Sequence, residues 1–418
     1  MESFSIQNFG CRVNQAEAFA WTAEFQKRGW RYEPDAERSG LVILNSCTLT
    51  ARADREARKF LRHLLRANPA ARVVVTGCLA ERDPGGLEQL PGVWKIVPNS
   101  EKTDLPRLLA PDLRAVETAD ARPFRSRALL KVQDGCNMAC AFCVIPKVRG
   151  SSASVPPADV LARVEDLVRQ RFREIVLTGI HLCSYGRDLA PPSSLLELLR
   201  AIDGLPGEFR LRLSSLDPRL LPPELLEHLT SSPRVCPHFH LSLQHGSDRV
   251  LKAMGRTSTV AQYDTTLRFL RTRSPQAGIG ADIIVGFPGE TADDFRALEA
   301  FLERAPLTYL HVFPYSPRPG TPASTAKAVD GRTAKSRAAR LRALSRAKNL
   351  EFRERFVGTV LEAAVIRTSA AGADVLTPNY IDVRVPASGA KEGSSVTIVL
   401  TRVTERGASG EIVNEDRR

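Results

Sequence analysis

The chain has 418 residues, of which 43% are hydrophobic and 25% charged, as is usual for a globular protein of two or three domains. It has no apolar run of the roughly 18 residues that span a bilayer and no signal-peptide pattern at its start, so we expect a cytoplasmic protein without membrane contact. The net charge of +12 favours a polyanionic partner such as a nucleic acid, although a solvated basic surface would give the same value.

Alternating strands and helices are predicted for residues 1–120. Two amphipathic segments, 15–29 and 53–69, separate the apolar runs SIQNFGC, LVILNSC and RVVVTGC, which predicts a parallel α/β sheet. Each of these runs ends in a cysteine, and the carboxyl ends of parallel strands meet at one edge of a sheet. We therefore expect three thiols to converge there, with inert buried thiols as the alternative: Cys11, Cys47 and Cys78.

A second α/β series is predicted for residues 127–350, after a linker at 120–126. Six strand candidates alternate with helix candidates, which is typical of an open sheet or of a barrel that is partial at six units; we predict a partial (β/α)6 barrel of the TIM type. In both architectures the loops after the strands carry the functional residues. These loops contain the stretches DGCNMACAFC, TGIHLC, SSLDP, QHGSD, GFPGE and SPRPGTP.

The C-terminal part changes pattern. Residues 332–355 predict a strongly basic helix, which is either a solvated face or a phosphate contact. Residues 355–418 contain short β-like runs separated by Gly, Ser and Pro, and they predict a small antiparallel β-barrel. Such barrels often bind nucleic acid through aromatic and basic residues. Tyr380 is the candidate stacking residue, and a packed core position is the alternative.

Three cysteines occupy eight positions in the pattern C-x3-C-x2-C: Cys136, Cys140 and Cys143. A cubane iron–sulfur cluster has four irons and normally takes four thiolates. Three thiolates leave one iron open, and an open coordination site is what catalysis on a bound small molecule requires. Zinc is the alternative, but this spacing without a fourth ligand nearby fits zinc poorly.

At this motif the chain resembles the radical S-adenosylmethionine (SAM) enzymes. Together with GCRVNQAE, NSCTLTARADREAR, VVVTGCLAERDP and YSPRPGTPA, it is similar over essentially its whole length to the methylthiotransferases of that superfamily. The C-terminal domain is similar to the TRAM RNA-binding domain. The resemblance implies two [4Fe-4S] clusters, one on Cys136, Cys140 and Cys143 that binds SAM and an auxiliary one on Cys11, Cys47 and Cys78. SAM would then serve both as the methyl donor and as the source of a radical. A radical is required because the hydrogen to be removed is on an aromatic carbon of the substrate and has no useful acidity.

The stretches GCRVNQAEA, CTLTARADREAR and RPGTPA look most like the bacterial branch that acts on N6-threonylcarbamoyladenosine (t6A). The implied reaction methylthiolates C2 of that base at position 37 of tRNA, giving ms2t6A. The implied partners are the tRNA anticodon loop with A37 and an electron donor such as flavodoxin or ferredoxin. The alternatives are isopentenyladenosine-37 tRNA, a ribosomal protein aspartate as substrate, and a non-catalytic RNA-binding iron–sulfur protein.

The resemblance also implies SAM-binding residues in three loops of the second domain. In SSLDP the acidic residue is Asp where the family usually has Glu. Glycine turns such as GFPGE let backbone approach a ligand closely. The implied SAM-binding residues are Thr178, Gly179, Ser214, Ser215, Asp217, Gly286, Phe287, Pro288, Gly289 and Glu290.

No residue is assigned as a general acid or base. Cys183 and Cys236 match no ligand position, and we expect ordinary thiols. His245 stands where Ser is usual, and we expect a polar loop residue. Asn14 and Gln15 either orient the auxiliary cluster or cap the first helix, and capping alone explains them.

Overall fold

Three β systems follow one another in the computed structural model, which describes residues 2–111, 126–386 and 390–413. The predicted linker at 120–126 lies outside the described residues, apart from Ser126. No helix in the described part of the chain is both long and apolar enough to cross a lipid bilayer.

The first system is a parallel sheet in the order β2-β1-β3-β4-β5. Its strands are β1 (Ser3–Asn8), β2 (Arg31–Tyr32), β3 (Leu41–Ser46), β4 (Arg72–Gly77) and β5 (Val93–Val97). The helices of this part are α1 (Arg12–Lys27), α2 (Ala51–Ala67), α3 (Cys78–Arg82), α4 (Pro84–Glu88) and α5 (Leu105–Leu109). The three predicted strands and both predicted helices are confirmed. The two edge strands were missed because they are partly exposed and carry no continuous apolar run.

Six parallel strands and one short antiparallel strand form the central part: β6 (Ala128–Asp134), β7 (Ala153–Ser154), β8 (Glu174–Gly179), β9 (Arg210–Leu213), β10 (His238–Gln244), β11 (Gly278–Val285) and β12 (Tyr309–Pro314). They form two sheets, β7-β6-β8-β9 and β10-β11-β12. A parallel bridge between Leu216 and Leu241 links the two sheets. The predicted partial barrel is confirmed, with its six main strands where the apolar runs placed them.

Helices cover the outer face of this partial barrel: α7 (Pro157–Arg169), α8 (Leu195–Asp203), α9 (Pro223–Ser231), α10 (Asp248–Ala253), α11 (Val260–Arg273), α12 (Ala292–Arg304) and α13 (Gly331–Glu354). The short helix α6 (Ile145–Arg149) instead packs against α3 of the first part. The predicted basic helix is α13, and it buries Ala338 and Leu341 in the same core as the strands. From the N-terminal part, α1 adds Ala16 and Phe19 to that core. Helix α1 therefore packs between the first sheet and the barrel, because its Trp21 and Phe25 belong to the core of the first sheet.

A closed barrel in the order β13-β14-β15-β17-β16 follows α13. Its strands are β13 (Val360–Ser369), β14 (Gly372–Leu376), β15 (Asp382–Val385), β16 (Ser395–Thr404) and β17 (Gly407–Ile412). The prediction of a wholly antiparallel barrel is wrong for one pair, because β15 and β17 run parallel. Residue alternation predicts that a segment is a strand, but it does not give the direction of its partner.

The loop between β14 and β15 docks this barrel onto the central domain. Arg212 donates to the Pro378 carbonyl at 3.0 Å, and the Asn379 amide donates to the Gln276 carbonyl at 3.2 Å. The Tyr380 ring stacks on the His238 ring with centroids 4.1 Å apart. Tyr380 therefore packs between the two domains, which favours the alternative of a packed position, and its stacking on RNA stays a prediction.

Candidate metal centres and cofactor site

The three cysteines at the strand ends of the first sheet converge. Cys11 follows β1, Cys47 follows β3, and Cys78 opens α3 directly after β4. A Cβ added to Gly10 would lie 3.0 Å from the Cβ of Cys47, so the loop that carries Cys11 packs directly on Cys47. Burial, together with the neighbouring thiols of Cys11 and Cys78, raises the pKa of the Cys47 thiol to about 12. Three thiols thus share one partly buried site.

Asn14 contacts this site from the first turn of α1. The Cys11 thiol donates to the Asn14 Oδ1 atom at 3.3 Å, while the Asn14 amide donates to Asn45 Oδ1 at 3.0 Å and to the Ser46 carbonyl at 2.9 Å. The residue that caps α1 is Cys11, without a side-chain capping bond. The interpretation of Asn14 as a helix cap is therefore wrong, and its contacts favour a role in orienting Cys11.

Arg149, at the end of α6, is the residue that sequence reasoning missed at this site. Its side chain is fully buried, and its Nε donates to the Cys78 Sγ at 3.2 Å. The rest of the guanidinium donates to Asn14 Oδ1 at 2.7 Å, to Glu17 at 3.1 Å and to Asp134 at 2.8 Å. Burial acts to raise the pKa of Glu17, but Arg149, Lys102 and Lys131 together outweigh it and hold that pKa well below its usual range. Burial raises the pKa of the Cys78 thiol, and Arg149, a permanent cation beside the sulfur, acts against that rise.

The second triplet lies in the loop between β6 and α6. Cys136, Cys140 and Cys143 line one cavity of about 450 Å³, and all three are partly exposed. At Gly135, φ is +65°, and an added Cβ would lie 1.9 Å from the Ser151 carbonyl oxygen, so only glycine permits this loop. An open cavity lined by three thiols fits a cluster that has one accessible iron.

The spacing of the thiols argues against zinc. Within the described ranges, the group of three candidate ligand atoms that all lie within 4.8 Å of one another is His240, Asp282 and His311, and neither cysteine triplet is that compact. Ligands of one tetrahedral Zn²⁺, at about 2.3 Å from the metal, would stand roughly 3.8 Å apart. Each triplet offers three thiols, which fits a cluster that keeps one open iron.

The two triplets adjoin where α3 meets α6. Cys78 belongs to one apolar cluster with Val144, Ile145 and Val148, and Cys136 and Cys143 pack against that cluster. Burial raises the pKa of Cys143 to about 12, and the Cys78 thiol is among the charges that act on it. Two metal centres held by these cysteines would therefore be close neighbours.

The loops after β8 and β9 present polar groups on one side of the barrel. Ser214 accepts a hydrogen bond from the Gly179 amide at 3.4 Å, and Ser215 is exposed. The Thr178 hydroxyl is fully buried and, among the described residues, has no hydrogen-bond partner. An unpartnered buried hydroxyl is costly, so it marks a position where a ligand would supply the missing partner.

Asp217 is a buried and fully ionised carboxylate. Burial acts to raise its pKa, but His181, Arg219 and Arg256 outweigh that effect and hold the pKa well below its usual range. His181 Nε2 lies 3.1 Å from its Oδ2 atom, and Arg256 donates to Oδ1 at 3.3 Å. The shorter Asp side chain is thus anchored by three basic partners of this chain.

Cys183 and Cys236 are single buried thiols. The Asp217 amide donates to the Cys183 sulfur at 3.2 Å, and the Cys236 sulfur lies 3.9 Å from Glu174. Burial raises the pKa of both thiols to about 12, so both remain protonated. This agrees with the expectation of ordinary thiols.

The GFPGE turn is closed by its own glutamate. The Glu290 carboxylate accepts from the Gly286 amide at 2.5 Å and from the Phe287 amide at 3.1 Å, and Arg337 of α13 donates to it at 2.6 Å. His245 is fully buried, with its Nε2 atom 3.8 Å from Glu290. His245 thus lies in the loop after β10, as expected, and its imidazole packs behind the turn.

The rest of the turn is shaped by α13. Gly286 has φ of +76°, and an added Cβ would lie 2.7 Å from the Cβ of Ala334. Gly289, with φ of +80°, has open space around the Cβ position and is exposed. Pro288 lies between them and is partly exposed. Gly286 thus serves helix packing, while Pro288 and Gly289 face accessible space.

Comparison with known proteins identifies the family to which the chain belongs. Residues 130–302 match the radical SAM superfamily, and residues 3–98 match a family described as uncharacterized protein family UPF0004. Threonylcarbamoyladenosine tRNA methylthiotransferase MtaB of Aquifex aeolicus is 36% identical over 414 residues, which cover 95% of this chain and 99% of that protein. The chain belongs to the radical SAM tRNA methylthiotransferase family. Membership implies SAM and a [4Fe-4S] cluster as cofactors.

Relatives in this family carry more than one substrate name. The tRNA-2-methylthio-N(6)-dimethylallyladenosine synthase of Corynebacterium diphtheriae is 33% identical over 389 residues, covering 87% of this chain and 75% of that protein. Among solved structures, the radical SAM methyltransferase TsrM of Kitasatospora setae gives a TM-score of 0.57 at 16% identity, covering 78% of this chain and 77% of that one. That similarity concerns the fold alone.

Proposed function

We propose that this methylthiotransferase acts in the cytoplasm on t6A at position 37 of tRNA and converts it to ms2t6A. The observation that carries the proposal is the junction of two cysteine triplets across α3 and α6, in a chain related over its whole length to a threonylcarbamoyladenosine tRNA methylthiotransferase. A methylthiotransferase needs both a radical source and a sulfur source next to one carbon atom, and two adjoining clusters meet that need.

We assign the cofactors as follows. The SAM-binding [4Fe-4S] cluster is held by Cys136, Cys140 and Cys143, and a second [4Fe-4S] cluster by Cys11, Cys47 and Cys78. When bound, these groups supply the radical and the sulfur for a C–H carbon that no base can deprotonate. SAM lies against Thr178, Gly179, Ser214, Ser215, Asp217 and the turn Gly286, Phe287, Pro288, Gly289 and Glu290.

The chain's own residues keep the two sites in a fixed relation. Arg318, in the loop after β12, donates to the Thr48 carbonyl at 3.0 Å and to Asp54 at 2.7 Å. The Ala51 amide donates to the Ser316 hydroxyl at 3.0 Å. These bonds tie the segment after Cys47 to the barrel, and fixed geometry matters because small misplacements of reacting groups slow a reaction strongly.

The basic surface supports tRNA as the substrate class. The chain carries a net charge of +12, and α13 exposes Arg332, Lys335 and Arg346 to solvent. Exposed Lys and Arg side chains neutralise phosphates and release counterions, which favours a nucleic acid over a protein substrate. The proposal also requires an electron donor, for which a flavodoxin or a ferredoxin is the expected class.

The decisive experiment is mass spectrometry of tRNA nucleosides from cells that lack this protein, with the gene returned in wild-type form or as Cys140→Ala. We expect ms2t6A to disappear and t6A to accumulate, with rescue by the wild type and not by the variant. Unchanged ms2t6A would refute the t6A assignment. Loss of the methylthiolated isopentenyl nucleoside in the same run, or of the modified ribosomal aspartate, would identify the substrate instead.

A further inference from the structure

A compact polar group lies on the barrel face opposite the covering helices. His240 of β10 and His311 of β12 flank Asp282 of β11, with Asp282 Oδ1 3.0 Å from His240 Nε2 and 3.4 Å from His311 Nδ1. The register pairs Asp282 directly with His311. Residues next to them along the strands, such as Leu241 and Val312, belong to the core under the helices. Because side chains alternate along a strand, the polar group faces the barrel interior.

Packing and hydrogen bonds hold the group in place. The His240 Nδ1 atom lies 3.0 Å from the Tyr309 hydroxyl, which also lies 2.7 Å from His238 Nε2. The Tyr380 ring of the C-terminal barrel stacks on the His238 ring and so supports this hydrogen-bonded group. A binding site needs side chains whose rotamers are locked by such neighbours.

The group is open to a ligand on one side. His240 is buried, whereas the His311 side chain is 50% exposed and that of Asp282 is 24% exposed. Phe313, the next residue on the same face of β12, is also exposed. The barrel interior therefore has accessible space beside this group. The space is lined by His240, Asp282, His311 and the ring of Phe313.

This wall is tied to the first domain near both ends of β12. In the loop after β12, the Ser316 hydroxyl accepts from the Ala51 amide, just after the Cys47 loop. From the first sheet, Arg12 at the start of α1 donates to the Tyr380 hydroxyl at 3.1 Å. A nucleoside whose base reaches both cysteine sites would thus extend along this wall.

The chemistry of the wall suits a polar substituent on the base. Asp282 accepts hydrogen bonds, and the two imidazoles offer donors and acceptors. Arg12 forms no ion pair with a carboxylate of the described residues, so it is free to pair with an anionic ligand. A wholly apolar substituent would desolvate Asp282 and offer it no replacement bond, which costs binding energy.

We propose that His240, Asp282 and His311 form the subsite for the threonylcarbamoyl substituent of the target adenosine. The ureido N–H and hydroxyl groups donate to this cluster, and the carboxylate of the substituent pairs with Arg12. The inference rests on the proposed function and specifies its substrate branch, because a dimethylallyl group has none of these polar atoms.

The test measures equilibrium binding of three anticodon stem-loops to the cluster-loaded protein, by fluorescence anisotropy under anaerobic conditions. The stem-loops carry t6A, the dimethylallyl nucleoside or unmodified adenosine at position 37. The variants are His311→Phe, which keeps an aromatic ring, and Asp282→Asn. The matched control is His63→Phe, on the exposed face of α2. Iron content and circular dichroism verify that each protein is folded.

We expect the wild type and the control to prefer the t6A stem-loop, and both variants to lose that preference by about tenfold or more, since each loses a hydrogen bond to a polar ligand. Binding of the unmodified stem-loop should change little. Variants that discriminate like the wild type would overturn the subsite. A preference that appears only with added Mn²⁺ and vanishes with EDTA would also overturn it, because the three side chains would then be a metal site.

The same measurements separate this inference from the proposed function. A wild-type protein that prefers the dimethylallyl stem-loop contradicts both. A wild-type protein that methylthiolates t6A, with variants that keep full discrimination, contradicts the subsite alone. If His311→Phe loses iron, then Asp282→Asn and His311→Gln carry the test.

Discussion

Replacing Arg149 by Met removes the one cation that hydrogen-bonds to a cysteine of the first triplet in the described chain. The change leaves the nearby carboxylates with partners, because Lys102 and Lys131 lie 2.8 Å and 3.1 Å from Glu17. Lys131 also pairs with Asp134 at 2.9 Å. The variant should therefore fold, and its effect should concentrate on the Cys78 sulfur and the cluster we assign to it.

The magnitude follows from the position of the charge. The Arg149 Nε atom lies 3.2 Å from Cys78 Sγ, and we take about 6 Å as the separation between this cation and an electron added to a cluster that Cys78 would hold. At an effective dielectric constant of about 20, a unit charge at that distance interacts with an added electron by about 3 kcal/mol. For a one-electron couple this corresponds to a shift on the order of 100 mV. Loss of the cation disfavours the reduced cluster, so the potential should become more negative.

The assay is a redox titration followed by electron paramagnetic resonance. The background replaces Cys136, Cys140 and Cys143 by Ala, so that only the cluster on the first sheet remains. Arg62→Met, on the exposed face of α2, is the matched control and should leave the potential unchanged. A shift of less than roughly 20 mV in Arg149→Met with full iron content, or an equal shift in the control, would refute the electrostatic reasoning.

Three further predictions concern cluster loading and interdomain stability. Two single substitutions, Cys47→Ala and Cys140→Ala, should each lower the iron content from about eight to about four atoms per chain. Only Cys140→Ala should abolish SAM cleavage. A full iron content in either variant would contradict the proposed cysteine ligands. Burial raises the pKa of Glu174, but Arg212 and Arg127 outweigh it and lower the pKa to about 2 from an ordinary 4.5. The ionised Glu174 carboxylate therefore stabilises the fold fully above pH 4.5, and this contribution is lost as the pH falls towards 2. The difference in melting temperature between wild type and Glu174→Gln should shrink over that pH window. A constant difference would count against the pairing of Glu174 with Arg212 and Arg127. In Arg318→Met, Asp54 keeps Arg82 as its remaining partner. The substitution should destabilise the docking of the Cys47 segment on the barrel by up to about 3 kcal/mol. Faster proteolysis within residues 47–54 would show this loss.

Much of the backbone architecture was predictable because buried parallel strands are continuous apolar runs. The strands that end before Cys11, Cys47 and Cys78 were recognised this way, and the geometry of parallel sheets then required the three thiols to converge. The radical SAM motif was equally accessible, since its three cysteines lie in one short loop. These predictions depend on local pattern and on general rules of sheet geometry.

The unpredicted features are contacts between distant segments. Arg149 donates a hydrogen bond to Cys78, which lies 71 positions away in the sequence, and no periodicity of the sequence predicts such a contact. Tyr380 lies in a loop whose docking depends on the shape of another domain. His245 was expected as a polar loop residue, but nothing local in the sequence shows that it is fully buried beside Glu290. In each case the outcome depends on tertiary packing, which a single sequence does not encode locally.

The charged cluster between α1 and β6 suggests why this interface is polar. Glu17 of α1 contacts Lys102 and Arg149, which are buried, and Lys131, whose side chain is 25% exposed. A purely apolar interface of the same size would be at least as stable, but it would tolerate small sliding motions. Charged hydrogen bonds allow few arrangements, because any shift leaves a buried charge unpaired. Since Arg149 also bonds to Cys78, the network fixes the distance between the two cysteine triplets, which is the quantity that a reaction shared by two metal centres depends on.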